Sequence, residues 1–160
     1  MLGPNIPLPA MIIIILTGFF SIYAFYLVSV YIKLENRRSL ILSKFTAVNE
    51  LIDEKIEFVK ELNDILKDEE IEKVRNKLVS NSNVNDRIRY NKKIDKLLKE
   101  VSTDKRKTKK IIEEINDVNE RLDYSKEFYN ASLEDYNNIL TTKSGKILKK
   151  ILKYTKYNTF

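Results

Sequence analysis

The side chains that could do chemistry in this 160-residue chain are its carboxylates, its lysines and its hydroxyls. Because it contains no His and no Cys, the sequence offers no Ser-His-Asp or Cys-His nucleophile, no imidazole acid or base and no usual zinc site. The three glycines, Gly3, Gly18 and Gly145, are too scattered for a phosphate-binding loop. We therefore predict a protein that is not an enzyme and has no cofactor, no metal and no small-molecule substrate.

Carboxylates are abundant, and adjacent acids come closest to a metal-binding pattern. Examples are Asp68-Glu69-Glu70 and Glu113-Glu114. Di-metal helical bundles use Glu-x-x-His pairs, which a chain without His cannot supply. Acids interspersed with lysines are the ordinary solvated face of a helix, and we interpret these runs in that way.

One basic cluster, over residues 105–110, could contact nucleic acid. It contains five Lys and Arg side chains, but acids follow it directly on the same predicted helix and no aromatic residue interleaves it. Nucleic-acid surfaces combine a basic groove with aromatic stacking platforms. The cluster is therefore predicted to be solvated surface, and no nucleic-acid partner is expected.

Two Tyr-Asn pairs, Tyr129-Asn130 and Tyr136-Asn137, lie seven residues apart. Seven residues make two helical turns, so the tyrosines share one face of a helix and the asparagines share the next. Core packing and helix register are the favoured interpretation, because tyrosine fills a core and asparagine bonds to a neighbouring helix. A face that binds a ligand or a partner is the alternative.

The net charge of +6 lies entirely in the last eighteen residues. Residues 1–32 carry no charged side chain, and residues 33–142 carry 23 basic and 23 acidic ones. The tail, 143–160, has six lysines and no acid: Lys143, Lys146, Lys149, Lys150, Lys153 and Lys156. On a helical wheel they oppose an apolar arc of Leu140, Ile147, Leu148, Ile151, Leu152 and Tyr154. This separation favours a helix lying on an anionic membrane surface, and the alternative is that the arc ends a bundle core.

A membrane-spanning helix is predicted from Met11 to Ile32, where 22 residues carry no charge. Such a helix is about 33 Å long and exceeds the hydrocarbon thickness of about 30 Å. Residues 1–10, with three prolines, are expected to form a short extended lead-in outside the cell. Because Lys33, Arg37 and Arg38 follow the span, the positive-inside rule puts the rest of the chain in the cytoplasm.

Past the span the pattern is that of amphipathic helices, so the fold class is all-α. One helix continues from the membrane to about residue 66, two shorter ones cover about 69–79 and 86–100, and a last one covers about 104–140. Ser102 and Thr103 are its candidate N-caps, and residues 80–85 form a turn. The body, 33–142, is expected to be an antiparallel helical bundle or a long coiled-coil-like hairpin. The apolar stripes are Leu34, Ile41, Phe45, Val48, Ile52, Ile56, Val59, Leu62 and Leu66 in the first helix, and Ile111, Ile115, Val118, Leu122, Tyr129, Leu133, Tyr136 and Leu140 in the last.

The two Tyr-Asn pairs with Leu133 between them resemble the signature of the LemA family. Leu122 and Lys126 upstream, the closing aromatics Tyr154, Tyr157 and Phe160, and a Tyr31-x-x-Leu34 opening are similar as well. The resemblance implies a bacterial single-span membrane protein with a cytoplasmic antiparallel helical bundle. It implies no activity.

Taken together, these features predict a non-enzymatic single-pass protein of the bacterial cell membrane. Its cytoplasmic bundle would act as a scaffold or protein-interaction module, with the bilayer and either a protein partner or a second copy as its partners. The alternative is an accessory or regulatory subunit of a membrane protease, transporter or envelope machine.

Overall fold

The computed structural model describes residues 7–81, 83–102 and 105–157. Within these ranges the chain forms five helices and no strand, so the predicted all-α class is confirmed. The helices are α1 (Leu8–Leu66), α2 (Glu69–Ser80), α3 (Val84–Leu98), α4 (Arg106–Thr141) and α5 (Lys143–Leu152).

Helix α1 begins inside the segment for which the sequence predicts an extended lead-in. The carbonyl oxygen of Pro7 accepts the amide of Met11 at 3.2 Å, and Pro9 lies in the first turn. Pro fits there because the first-turn N–H groups have no helical acceptor and its fixed φ suits a helix. The predicted lead-in is therefore wrong for residues 8–10, while residues 1–6 lie outside the described ranges.

The amino-terminal part of α1 is able, by its length and composition, to cross a membrane. From Met11 to Ile32 nearly every side chain is exposed. The Thr and Ser hydroxyls in this stretch are satisfied within the helix, because Thr17 donates to the carbonyl of Ile13 at 2.8 Å, Ser21 to that of Thr17 at 2.9 Å and Ser29 to that of Phe25 at 3.1 Å. The helix continues without a break past Lys33, as the sequence predicts.

The end of α1 and the start of α2 are closed by their own side chains. Lys67 takes the left-handed conformation (φ 58°) and Asp68 is the N-cap of α2, accepting the amides of Glu70 and Ile71. The side-chain oxygen of Asn63 accepts the amide of Asp68 at 3.0 Å. These bonds satisfy backbone groups that helix ends leave unpaired, and they stop α1 at the predicted place.

Two predicted boundaries are corrected. The carbonyl of Lys105 accepts the amide of Lys109 at 3.0 Å, so α4 begins at Arg106 and Ser102 lies too far upstream to cap it. The other candidate cap, Thr103, lies outside the described residues. The turn between α2 and α3 is shorter than predicted, because Ser80 still belongs to α2 and Val84 already belongs to α3.

The chain forms two compact units, and α1 and α4 contribute to both. One unit contains the described residues of 40–132 and has a continuous apolar core between α1, α2, α3 and α4. All the predicted stripe residues of α1 in this unit are buried except Phe45 and Leu66, which are partly buried. In α4 all the predicted stripe residues of this unit are buried: Ile111, Ile115, Val118, Leu122 and Tyr129.

The second unit contains the described residues of 1–39 and 133–158. Its buried side chains include Leu34 from α1, Leu133, Tyr136 and Leu140 from α4, and Leu148 from α5. The sequence also predicts which segments lie outside the cell, in the membrane and in the cytoplasm. That division into a lead, a span, a body and a tail stays a prediction.

Candidate functional site

The last helix folds back onto the end of α4 through a glycine. Thr142 directly follows α4 and is the N-cap of α5, its hydroxyl accepting the amide of Gly145 at 3.0 Å. A Cβ added to Gly145 would lie 1.9 Å from the carbonyl oxygen of Ile139. Gly145 was expected only to weaken a continuous tail helix. Instead it permits a backbone-to-backbone contact that any side chain would block.

Beyond α5 the chain leaves the helix and runs along α4. Lys153 takes the left-handed conformation (φ 54°), and residues 153–157 are non-helical. The side-chain amide of Asn137 donates from Nδ2 to the carbonyl of Tyr157 at 2.9 Å, and its Oδ1 accepts the amide of Tyr157 at 3.2 Å. This two-bond pairing satisfies both backbone groups of Tyr157, as a neighbouring strand would. We call residues 153–157 the tail segment.

The ring of Tyr136 provides the surface on which the tail segment packs. It is 1% exposed, and it meets Tyr154 edge to face (centroids 6.4 Å apart, 84° between planes) and Tyr157 at 5.4 Å. Both distances are typical of stabilising aromatic pairs. Burial raises the pKa of Tyr136 because it disfavours the phenolate.

The tail segment also bonds to the turn of α1 that directly follows the uncharged stretch. The hydroxyl of Tyr154 donates to the carboxylate of Glu35, and the nearby side chain of Tyr157 raises the pKa of Arg38. The pKa of Tyr154 is raised, first by burial and then by the Glu35 bond, so the phenol remains a donor. Arg37 pairs with Asp135 of α4 at 3.2 Å. We call this group the collar site: Glu35, Arg37, Arg38, Asp135, Tyr136, Asn137, Tyr154 and Tyr157.

Helix α5 packs by a narrow face and leaves apolar side chains in the open. Ser144, Gly145 and Leu148 are buried, whereas Ile151 is 67% exposed and Leu152 is 44% exposed, and Ile147 is exposed as well. All six tail lysines, Lys143 to Lys156, are exposed. The single wheel predicted from Leu140 to Tyr154 is wrong at both ends, because Leu140 belongs to α4 and Tyr154 lies past α5. The membrane-surface role of the lysines stays a prediction.

The two Tyr-Asn pairs do not form one site. Tyr129 is buried in the 40–132 unit, where its ring lies 6.3 Å from that of Phe45, and Asn130 is half-buried. Tyr136 and Asn137 belong to the collar site of the other unit. Both tyrosines are buried as the seven-residue spacing predicts. However, Asn137 bonds to the tail segment, whereas a helix was the expected partner.

Inside the 40–132 unit lies a buried polar cluster that the sequence analysis missed. The ammonium of Lys55, 0% exposed, bonds to the carboxylate of Asp95 and to Oδ1 of Asn119 at 2.7 Å. Nδ2 of Asn119 bonds to Asp95 at 3.0 Å, and Asn91 lies 3.4 Å from the same carboxylate. Burial lowers the pKa of Lys55 in spite of Asp95. The sequence does contain one indication of a buried polar group. Asn91 lies three residues from both Ile88 and Ile94, on the apolar face of α3.

This buried cluster holds helices together and is not a candidate binding site. Lys55 is enclosed and its bonds are made to side chains of α3 and α4, so they fix how the helices meet. Among the described residues no group of three or more His, Cys, Asp or Glu side chains could hold a metal ion. The collar site, which joins three separate stretches of chain at the surface, is therefore the candidate functional site.

No protein-family model, no curated protein and no solved structure matches this chain.

Proposed function

We propose that this protein is a non-enzymatic single-pass membrane protein whose helical body acts as a scaffold or protein-interaction module. The amino terminus lies outside a bacterial cell membrane, the body lies in the cytoplasm, and α5 rests on the anionic inner surface of the same membrane. The observation that carries the proposal is the bond between Tyr154 and Glu35. It holds the basic tail three residues past the end of the uncharged stretch at Ile32.

The uncharged stretch of α1 supports a membrane location. An exposed helix face of this size is unfavourable in water but suits hydrocarbon, where apolar burial stabilises it. The hydroxyls of Thr17, Ser21 and Ser29 are bonded to carbonyls one turn earlier, so these three hydroxyls present no unsatisfied donor to lipid.

Contacts within the 40–132 unit support an antiparallel pairing of α1 and α4. Phe45 meets Tyr129, Glu54 pairs with Arg121, and Lys55 bonds to Asn119. As the residue number on α1 increases along these three contacts, the residue number of the partner on α4 decreases by nearly the same amount. An antiparallel bundle of this kind is also what the resemblance to the LemA family implies, and membership of that family is part of the proposal.

The exposed surface of α5 supports contact with an anionic membrane. Ile147 and Ile151 lie one turn apart and are exposed next to lysines, on a helix without acids. Each lysine near an anionic surface contributes about 1 kcal/mol. Since the collar site already fixes the tail, little ordering entropy opposes this binding.

The membrane contact is tested with the whole chain in lipid nanodiscs. The chain has no Cys, so Ile151→Cys carries the only reactive thiol and takes an environment-sensitive fluorophore. We expect a blue-shifted emission when anionic lipid replaces neutral lipid, and reversal of the shift at high salt. The label at Glu120→Cys, on the exposed face of α4, should not respond.

A matched pair of charge variants completes this test. Gln at Lys143, Lys146, Lys149 and Lys150 should abolish the shift of the Ile151→Cys label. Gln at Lys105, Lys107, Lys109 and Lys110 removes the same charge and should leave the shift intact. An emission that ignores lipid charge, or equal loss in both variants, would refute the contact of α5 with the membrane.

A second candidate, an accessory subunit of a membrane protease, transporter or envelope machine, is favoured by two aromatic side chains on α4. Tyr124 and Phe128 are 57% and 61% exposed and lie one helical turn apart. Extraction in a gentle detergent should then recover a second protein in stoichiometric amount, and the yield should fall for Tyr124→Ser with Phe128→Ser. Recovery of the chain alone would count against this candidate.

A further inference from the structure

A groove between α2 and α3 collects lysines around one aromatic ring. It has a volume of about 640 Å³, and its lining includes Lys73 and Lys77 from α2 and Tyr90, Lys93 and Lys96 from α3. Within each helix these lining residues are three or four positions apart, so they lie on one face of the helix, and that face borders the groove. Val74 and Leu97, both half-buried, supply apolar floor between the charges.

The four lysines of this groove are exposed and make no ion pair within the part of the chain that the structure describes. Two carboxylates, Glu69 and Glu70, also line the groove, whereas Glu72 pairs with Arg75 at 2.6 Å and Asp86 pairs with Arg89 at 3.1 Å. Four lysines against two carboxylates leave the groove with an excess of two positive charges.

Tyr90 draws two of these cations together. The ammonium of Lys77 lies 5.9 Å from the ring centroid and that of Lys93 lies 5.5 Å from it. The ring attracts each ammonium through its quadrupole, but two like charges at one ring repel each other. A carboxylate bound near the ring would relieve this repulsion.

We propose that this groove binds an acidic segment of a partner protein, with a carboxylate at Tyr90 and an apolar side chain on Val74 and Leu97. This inference names the partner chemistry for the interaction role proposed above and rests on that role. Nucleic acid fits less well because the groove offers a single aromatic ring, whereas strand binding uses several.

Binding is measured on the full chain in nanodiscs of neutral lipid, by fluorescence anisotropy of a labelled peptide of sequence EELEE. We expect saturable binding that weakens with salt and is absent for the charge-inverted peptide KKLKK. Gln at Lys73, Lys77, Lys93 and Lys96 should weaken binding roughly tenfold or more, since each exposed charge pair contributes modestly. Tyr90→Leu keeps the apolar bulk, removes the ring and should weaken binding a few-fold.

The matched control places the same four Gln substitutions at Lys105, Lys107, Lys109 and Lys110, and it should bind EELEE as the wild type does. Helix content by circular dichroism is compared for all variants. No saturable binding, an equal loss in the groove and control variants, or tighter binding of labelled oligothymidylate than of EELEE would each overturn the proposal. The neutral lipid keeps the outcome independent of the α5 contact, so either proposal can fail alone.

Discussion

Asn137 and Lys55 both place a polar group within packed helices, and each satisfies it in a different way. Asn137 is half-buried and exchanges two hydrogen bonds with the backbone of Tyr157, which would otherwise lack partners. Lys55 is fully buried and bonds to side chains of two other helices. The first residue fixes the tail segment, and the second fixes the packing of α1 on α3 and α4.

Asn137→Ala should release the tail segment while the rest of the chain stays folded. Two neutral hydrogen bonds are lost, at about 1 kcal/mol each, and the backbone of Tyr157 then turns to water. We expect faster amide hydrogen exchange at Tyr157 and faster carboxypeptidase trimming. Asn138→Ala, one residue along on the exposed side of α4, should change neither. Unchanged hydrogen exchange in Asn137→Ala would contradict this prediction, because it would show that the contacts of Tyr136 with Tyr154 and Tyr157 hold the tail segment without the two hydrogen bonds.

Removing the partner of Lys55 should cost more than removing Lys55. In Asp95→Ala the ammonium stays buried with only Asn119 as acceptor, and a loss of about 3 kcal/mol is expected. In Lys55→Met the side-chain volume is kept, and the Asp95 side chain, 30% exposed, can be hydrated, so we expect about 1 kcal/mol or less. Thermal or denaturant unfolding of both variants measures the difference, and a reversed order would contradict it.

The same pair makes stability depend on pH. Because burial lowers the pKa of Lys55, the unfolded chain binds more protons than the folded chain between that lowered pKa and the ordinary value of about 10.4. The free energy of unfolding should therefore rise with pH across this window. This rise is absent in Lys55→Met, which lacks the titrating group. The free energy of unfolding of the wild type should therefore increase relative to that of Lys55→Met as pH rises from 7 toward about 10. A constant difference would refute the prediction.

At the scale of the elements, the apolar stripes at spacings of three and four predicted four of the five helices and most of their buried faces. Ile111, Ile115 and Val118 are buried because one face of α4 must leave water. Single residues that override the pattern were not predictable in this way. From the sequence alone, Lys55 is indistinguishable from a surface lysine. Gly145 appears only as a residue that weakens a helix, because its packing against Ile139 depends on tertiary structure.

Gly145→Ala should displace α5. The added Cβ would lie 1.9 Å from the Ile139 carbonyl oxygen, a backbone atom that cannot rotate away, so the helix has to shift. We expect a loss of about 1–3 kcal/mol in the docking of α5, seen as faster hydrogen exchange over Ser144–Leu148. Gly18→Ala is the control, because its Cβ meets nothing within 4 Å and Ala favours a helix. Equal exchange in both variants would argue against the close contact.

At the scale of the whole molecule, charge and hydropathy predicted a span, a neutral body and a basic tail. They did not predict the collar site. Residues 153–157 have no periodicity to read, and their position depends on Asn137, Tyr136 and Glu35, which lie up to 119 positions away in the chain. Long-range contacts of this kind leave no local signal.

The proposed antiparallel pairing of α1 and α4 makes a prediction that cross-linking can check. With no native Cys, Glu54→Cys combined with Arg121→Cys places two thiols where a direct ion pair of 2.8 Å now joins the helices. A short bis-maleimide should link them within one chain. Glu54→Cys with Lys107→Cys is the control, because position 107 lies fourteen residues, or about 21 Å, further along α4. One linked pair fixes a point of contact, so the direction is fixed by a second pair, Glu61→Cys with Lys107→Cys, whose native side chains lie 3.8 Å apart. Linking of the control pair at the expected pair's rate would exclude this register.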